Sequence, residues 1–274
     1  MRRLINQHPG RGSALLFGAL PFALLLVAYL IASAIRLDAN PNDKLLPSLT
    51  SMGHAVHSYA VEPSRRTGQI TLWADTGASL RRLALGVGIS AALGLVIGIA
   101  TGAIPYLGAG FGPLISALSL IPPLAILPVL FIVFGLGETA KVVLIVIGIA
   151  PFIARDITLR TAELPREQII KAQTLGASSW QLITRVILPQ MWPRLIDAVR
   201  LSLGAAWLFL IAAEAIAATN GLGYRIFLVR RYLAMDIIIP YVLWITFLAY
   251  LMDYGLRLLS RRALSWYHTG ATHR

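Results

Sequence analysis

The chain has 274 residues, 57% of them hydrophobic and 13% charged, with 24 Lys and Arg against 12 Asp and Glu and no cysteine. Soluble domains carry about 25% charged residues, so this is the composition of a membrane protein, and the missing cysteines exclude a disulfide framework, a thiolate metal site and a cysteine nucleophile. The net charge of +12 sits at the ends of apolar segments rather than on one soluble face, which argues for membrane orientation and contact with anionic lipid, and against a nucleic-acid partner.

Residues 1–12 are short and basic, with Arg2, Arg3 and Arg11. Ala14 to Ile35 is an almost unbroken apolar run, long enough to span a hydrocarbon core of about 30 Å. Ala32-Ser33-Ala34 has the form of a leader cleavage site. The run nevertheless exceeds the roughly 7–15 apolar residues of such a leader, so a retained helix is expected, with Pro21 tolerable inside it. Arg36 to Asp75 is the one long polar stretch, and in it Leu49, Met52, Val56 and Tyr59 recur at helical spacing, predicting a short interfacial helix. His54 and His57 on that helix could be imagined as a metal pair, but without a third ligand nearby an exposed face is the expectation. Glu62 to Trp73, with Arg65-Arg66, reads as a loop.

A second span is expected over about Leu80 to Ile104, where Gly86, Ser90, Gly94, Gly98 and Gly102 form a ridge of small residues that lets another helix come close. The third, about Phe111 to Phe134, holds Pro113, Pro122, Pro123 and Pro128, too many for a straight helix. Two readings of it stand: a broken helix bordering a pathway, with Pro122, Pro123 and Pro128 as candidates for the gate, and a kinked packing helix. Gly135 to Glu138 is a tight turn, and a fourth span over about Ala140 to Leu159 ends near the adjacent charges Arg155 and Asp156.

Ile170 to Pro189 lies between spans yet reads as two short amphipathic helices broken by a glycine. Pro165 suits the first turn of the first helix, and Gly176 the left-handed position that closes it. Ser178 with Gln181 has the form of a capping box that opens the second, whose apolar face is Leu182, Ile183, Val186 and Ile187 and which Pro189 is expected to stop. The segment is either a rigid knob presented outside the bilayer or a surface loop with two interfacial helices.

A fifth span is expected over about Leu195 to Ala218 and a sixth over about Ile237 to Leu258. Between them Asn220 to Tyr224 makes a turn, and Arg225, Arg230 and Arg231 follow on a short amphipathic helix. Six spans put both termini and the elbow on one side, with 14 of the 24 basic residues, Arg2, Arg3, Arg11 and Arg274 among them, leaving 10 on the other. That bias favours a cytoplasmic elbow.

No lysine follows a glycine, so the chain has no P-loop, and it carries no zinc-protease or nucleophile-elbow motif. Neither a metal site nor a catalytic residue is expected. Glu214 is the ionisable residue expected well inside a span, a functional candidate by default. Its other reading is a structural acceptor bonded to Asn220, to Tyr224 or to a neighbouring arginine. Asp253 is expected to pair with Arg257 one turn on.

The elbow's Ala172-x-x-x-Gly176, nine residues, then Val186-x-Leu188-Pro189 resembles the signature loop of ABC importer permeases, E-A-A-x-x-x-G-x9-I-x-L-P. Ile170 and Lys171 stand where that pattern has Glu and Ala. Further similarity runs from about Leu45 to Trp266. It is carried by Leu46-Pro47-Ser48, Ser79-Leu80-x-Arg82, Ile121 to Pro128, Phe134 to Glu138, Ala213-Glu214 and Gly221 to Tyr224, which resemble the nitrate, sulfonate, taurine and bicarbonate branch. Ile153 to Ile157 and Gly223 to Asp236 look closer to permeases encoded beside urea- or guanidine-carboxylating enzymes.

The resemblance implies an all-α, polytopic protein of the type I permease fold with about six transmembrane helices. An N-terminal helix and extracytoplasmic segment (1–75), a permease domain (76–260) and a basic cytoplasmic tail (261–274) are expected. It further implies a homodimer in the bacterial cytoplasmic membrane with both termini cytoplasmic, two ATPase subunits that bind the ATP, an extracytoplasmic solute-binding protein, and no cofactor in this chain. Coupling to the ATPase would fall on Lys171, Ala172, Thr174, Leu175, Gly176, Ala177, Ser178, Leu188 and Pro189, and the solute would be nitrate, a sulfonate such as taurine, bicarbonate, or a urea- or guanidine-like molecule.

Overall fold

The computed structural model describes residues 10–269 apart from Asn42 and Arg66; Arg2, Arg3 and Arg274, counted above for orientation, lie outside the described residues. The elements are α1 Arg11–Ala39, α2 Leu49–Ala60, α3 Thr71–Ala103, α4 Pro105–Leu118, a 3₁₀ turn Pro123–Ile126, α5 Leu127–Phe134 and α6 Glu138–Ala162. There follow α7 Arg166–Thr174, α8 Ser179–Gln181, a π-helical turn Leu182–Ile187, α9 Leu188–Ala217, α10 Leu222–Arg230, α11 Met235–Ala263 and α12 Ser265–Thr269. Among the described residues the sole strand-like pairing is an isolated bridge between Pro63 and Ile70, so the protein is all-α.

The glycine ridge of α3 receives α6. A β-carbon added at Gly86 would lie 2.7 Å from Ile145, at Gly94 2.5 Å from Ile153, at Gly98 2.6 Å from Ile157 and at Gly102 2.6 Å from Thr161. Only glycine permits this approach, which replaces the hydrophobic drive that lipid cannot supply between helices. The four pairs share one sequence offset, so α3 and α6 run parallel. Two parallel spans that follow one another in the chain need a crossing between them, and α4, a bend of 80°, and α5 supply it. Among the described residues the five long apolar helices and this broken pair therefore give up to six candidate crossings by length and composition. The many prolines have the expected effect: Leu118 ends α4, Pro122 and Pro123 open the 3₁₀ turn, and Pro128 sits in the first turn of α5.

α6 is the centre of the bundle. Leu144, Ile145, Ile149, Ile153 and Ile157 are all buried, packed with Met191, Leu195, Ala206 and Leu210 of α9. α1 buries none of its most apolar stretch. It is tied near its C-terminal end, where Tyr29 Oη donates to the Pro47 carbonyl at 2.7 Å and Ser33 Oγ to that of Leu46 at 2.9 Å. Arg36 pairs with Asp43 just beyond and holds that carboxyl below the usual carboxylate range. Ser48 caps α2 by accepting from the Ser51 N–H at 3.1 Å, and His54 and His57 are exposed on that helix.

Two element boundaries differ most from those expected. α3 begins at Thr71, nine residues before the expected Leu80, because Asp75, Arg81 and Arg82 interrupt the apolar run without interrupting the helix. Asp75 and Arg82 are buried and paired inside the protein, so lipid never meets them. Pro189 does not stop the elbow's second helix. That helix runs unbroken from Ser179 to Ala217, 39 residues, or about 58 Å at 1.5 Å per residue. The π-helical turn before Pro189 explains the continuity: Leu188 N–H donates five residues back to the Ile183 carbonyl, and the wider turn makes room for the proline ring.

Candidate functional site

The elbow is locally encoded and fully capped. Pro165 sits at the N-cap of α7, one residue before the expected first turn, and accepts from the Gln168 N–H at 3.1 Å. At the other end Ala177 N–H donates to the Ala172 carbonyl at 3.0 Å and Gly176 N–H to that of Gln173 at 2.9 Å. This crossed pair is the Schellman arrangement, and it requires the positive φ that Gly176 adopts, +82°. One residue on, Ser178 Oγ accepts from the Gln181 N–H at 3.3 Å while Gln181 Oε1 accepts from the Ser178 N–H at 2.8 Å, closing the capping box. One helix stops and the next starts within a few residues, with no freedom in the angle between them.

The tip of the elbow is apolar and bare. Leu175 is 81% and Trp180 72% exposed, and Ile170 is exposed beside Lys171. Of the expected coupling residues, Lys171, Thr174, Gly176, Ser178 and Pro189 are exposed, while Ala172, Ala177 and Leu188 are half-buried against the helices behind. Sequence reasoning passed over Ile170 and Trp180 as members of this surface. A tryptophan among serines and glutamine outside the spans was the available signal.

At the other end of the 39-residue helix lies a cluster of charges, most of them buried. Glu214 is 0% and Arg82 4% exposed. Glu214 Oε1 accepts from Arg82 Nη1 at 2.7 Å and from Ser79 Oγ at 2.8 Å, and Oε2 from the Gly223 N–H at 2.8 Å. Arg82 also donates through Nε and Nη2 to Glu138, through Nη1 to the Asn220 carbonyl at 2.9 Å and through Nη2 to Asn220 Oδ1 at 2.6 Å. All five N–H groups of the guanidinium are engaged. Lys141 Nζ donates to Glu138 at 2.8 Å, and Arg225 Nε to Asp75 at 2.8 Å. Asp75 in turn accepts from the Gly221 N–H at 2.9 Å.

Three carboxylates thus face three cations, and the set joins α3, α6, α9, α10 and the turn before α10. Glu214 lies three residues from the end of α9, so it marks the end of the bundle remote from the elbow. Its partner is the neighbouring arginine; Asn220 joins through that arginine, and Tyr224 makes no bond to it. Gly221 has φ +121°, and a β-carbon there would lie 2.6 Å from the Glu214 carboxylate, so the turn admits no side chain. Pro122 and Pro128 are exposed and Pro123 is half-buried. Asp253 accepts from Arg257 at 2.6 Å as expected, and also from Arg200 at 2.8 Å.

The sequence profile of a family described as binding-protein-dependent transport system inner membrane component matches residues 90–265. The taurine transport system permease protein of Escherichia coli strain K12 is 38% identical over 197 residues, 72% of this chain and 72% of that protein. A putative aliphatic sulfonates transport permease protein of Bacillus subtilis strain 168 is 32% identical over 189 residues, 69% of this chain and 68% of that one. The nitrate import permease protein of Synechococcus elongatus is 28% identical over 210 residues, 76% and 75% of the two chains. Among solved structures, an inward-facing methionine ABC transporter, MetNI, superposes with a TM-score of 0.58 at 23% identity, covering 69% of this chain and 96% of that chain. At that identity the likeness speaks for the fold alone.

Proposed function

Because the chain belongs to the binding-protein-dependent transport system inner membrane components, in the branch of the taurine, sulfonate and nitrate permeases, we propose that it is the membrane subunit of an ATP-driven importer that carries a small polar solute across the cytoplasmic membrane by alternating access. The observation that carries this reading is the elbow: a capped, rigid knob with two exposed apolar residues, Leu175 at the closure of α7 and Trp180 in the first turn of the helix that follows. Bare apolar surface outside lipid is the mark of a protein partner. An ATPase subunit is the partner that fits. Two of them would hold the elbows of a permease homodimer, and an extracytoplasmic binding protein would deliver the solute.

Motion would pass along the helix Ser179–Ala217. A helix continuous from the elbow to Glu214 converts displacement of the knob into displacement of the far end. The prolines Pro122, Pro123 and Pro128, on the broken crossing, are the candidates for the gate. In this reading Glu214 holds the rod in register and does not itself meet solute. The chain supplies no catalytic residue, and ATP is bound by the partner. The solutes named for the relatives are sulfonates and nitrate, so a small oxyanion is the first class to test, before bicarbonate or a urea- or guanidine-like solute.

Co-purification tests the partner: tagged protein extracted in mild detergent should bring down a nucleotide-binding subunit of the same cell, whereas a stand-alone channel would come down without one. Topology tests the orientation. A reporter active only outside the cytoplasm should be bright when fused at Ser64, in the loop before α3, and dark at Ser178. A bright fusion at Ser178 would overturn both the orientation and the assignment of the elbow.

A further inference from the structure

On the reading proposed above, that the chain serves a binding-protein-dependent importer, we infer that the turn Arg230 to Leu233, between α10 and α11, meets an acidic face of the extracytoplasmic solute-binding protein. Leu233 is the wrong residue for its position. α10 closes with the same crossed pair of bonds as the elbow: Ala234 N–H donates to the Val229 carbonyl at 3.4 Å and Leu233 N–H to that of Arg230 at 3.1 Å. In the elbow the residue that turns left-handed is Gly176. Here it is Leu233, at φ +55°, the only non-glycine residue with a positive φ among the described residues. A β-carbon is disfavoured in that region and glycine is not, so the leucine lowers the stability of the fold. Burial offsets this only in part, because Leu233 is 51% exposed and lies outside the hydrophobic core. Strain held at an exposed apolar residue points to contact with another molecule.

The turn stands at the end of the bundle remote from the elbow. α11 runs from it toward the elbow: Trp244 Nε1 donates to Thr76 Oγ1 of α3 at 3.0 Å, and further along Asp253 accepts from Arg200 of α9 at 2.8 Å. Met235 precedes Trp244 by nine residues, about 13 Å of helix at 1.5 Å per residue, so the turn lies outward of Thr76, whereas Arg82 lies inward of it. Asp236, in the first turn of α11, separates Leu233 from the apolar stretch that follows. The surroundings are polar, for Tyr232 shares a depression of about 250 Å³ with Asp43, Lys44, Ser51 and Asp236. Leu233 therefore does not continue a lipid-facing surface. Arg230, Arg231, Tyr232 and Leu233 are all exposed, Tyr232 by 70%. Tyrosine and arginine are the residues that most often carry binding energy at protein interfaces. The charge is mainly positive. No acidic side chain among the described residues pairs with Lys44, Arg230 or Arg231. Of the two carboxylates in the depression, Asp43 is held by Arg36. Three cations thus stand against the one open carboxylate of Asp236, which selects an acidic partner and speeds its approach. A second copy meeting this turn about a twofold axis would bring the same positive charge against it.

The test uses the assembled importer in lipid nanodiscs, with its purified solute-binding protein as the probe. Leu233→Gly keeps the left-handed turn and removes the side chain. It should melt no lower than the parent, yet hold the binding protein at least about tenfold more weakly. Arg230→Gln combined with Arg231→Gln should slow association about tenfold at low salt, and the difference should vanish at high salt. The chain has no cysteine, so Leu233→Cys supplies a single thiol. A membrane-impermeant maleimide should label it freely, and more slowly once the binding protein is present. If the glycine and glutamine variants bind as the parent does, this turn is not the docking surface, while the chain remains an importer subunit. If the parent itself holds no solute-binding protein, the chain is not an importer subunit of this kind, and the docking role goes with it. A Leu233→Gly protein that melts below the parent would make the leucine structural and overturn that role. A thiol that resists the maleimide with the binding protein absent would overturn it in favour of cover by lipid or a second copy.

Discussion

Arg82→Ala is expected to lower the melting temperature of the purified protein by on the order of 10 °C, from a loss of about 3–5 kcal/mol. The reason is the asymmetry of buried ion pairs. Forming one gains little, but removing one partner strands the other in a medium that cannot solvate it. Glu214 is 0% exposed, so without the guanidinium its charge has no route to water. Ser79 and the Gly223 N–H would remain as donors, too few to hold an ionised carboxylate at that depth. Arg257 makes the control, because its side chain is 47% exposed and its partner Asp253 keeps Arg200. Arg257→Ala should cost below about 1 kcal/mol, as exposed pairs do. Neutralising the stranded partner should reverse much of the damage: Arg82→Ala combined with Glu214→Gln should melt above Arg82→Ala alone, since a neutral amide can still accept from Ser79 and Gly223. If Arg82→Ala melts with the parent, the cluster is not the clamp at the far end of the bundle, and Glu214 returns as a candidate for the pathway.

The cluster also shows where sequence reasoning stops. Glu214 drew notice because a carboxylate in an apolar run is costly, but its partner lies 132 residues away, in a helix thought to begin two residues before that partner. Hydropathy places a boundary where charges appear, and it cannot see that Asp75 and Arg82 face inward to Arg225 and Glu214. The elbow was legible for the opposite reason. The glycine closure and the capping box are bonds between residues three to five apart, fixed by local geometry whatever the rest of the fold does. The glycine ridge of α3 was legible as a packing face, though not its partner α6. The prolines around Pro122 announced a break, while the 80° bend and the crossing it completes depend on α3 and α6 running parallel. Pro189 misled because a proline usually ends a helix; the π-helical turn that accommodates it has no comparably clear signal in the residues.

Continuity through Pro189 raises the stakes at Gly176, where the second large effect is expected. Gly176→Val should leave the protein in the membrane at near-normal level and abolish solute uptake and the ATP hydrolysis that uptake stimulates. No atom lies within 4 Å of the place a β-carbon would take at Gly176, so the substitution creates no clash. Its whole effect comes from the backbone, held at φ +82°, where a β-branched residue costs about 1–3 kcal/mol. The elbow can relieve that strain only by giving up the crossed bonds to Ala172 and Gln173, and with them the angle between α7 and the long helix. Because that helix runs on to Ala217, a changed angle alters either the fit of the knob or the position of the far end, and either breaks the coupling. The spans are distant and packed by their own glycine ridge and isoleucines, so folding should survive. Asparagine separates backbone shape from the mere loss of glycine, since it enters the left-handed region with a much smaller penalty. Gly176→Asn should therefore retain most uptake where Gly176→Val has none. Should Gly176→Val couple hydrolysis to uptake as well as the parent, the elbow is not the coupling element. Should both variants fail alike, the exposed glycine is needed for contact with the partner and the angle is not what matters.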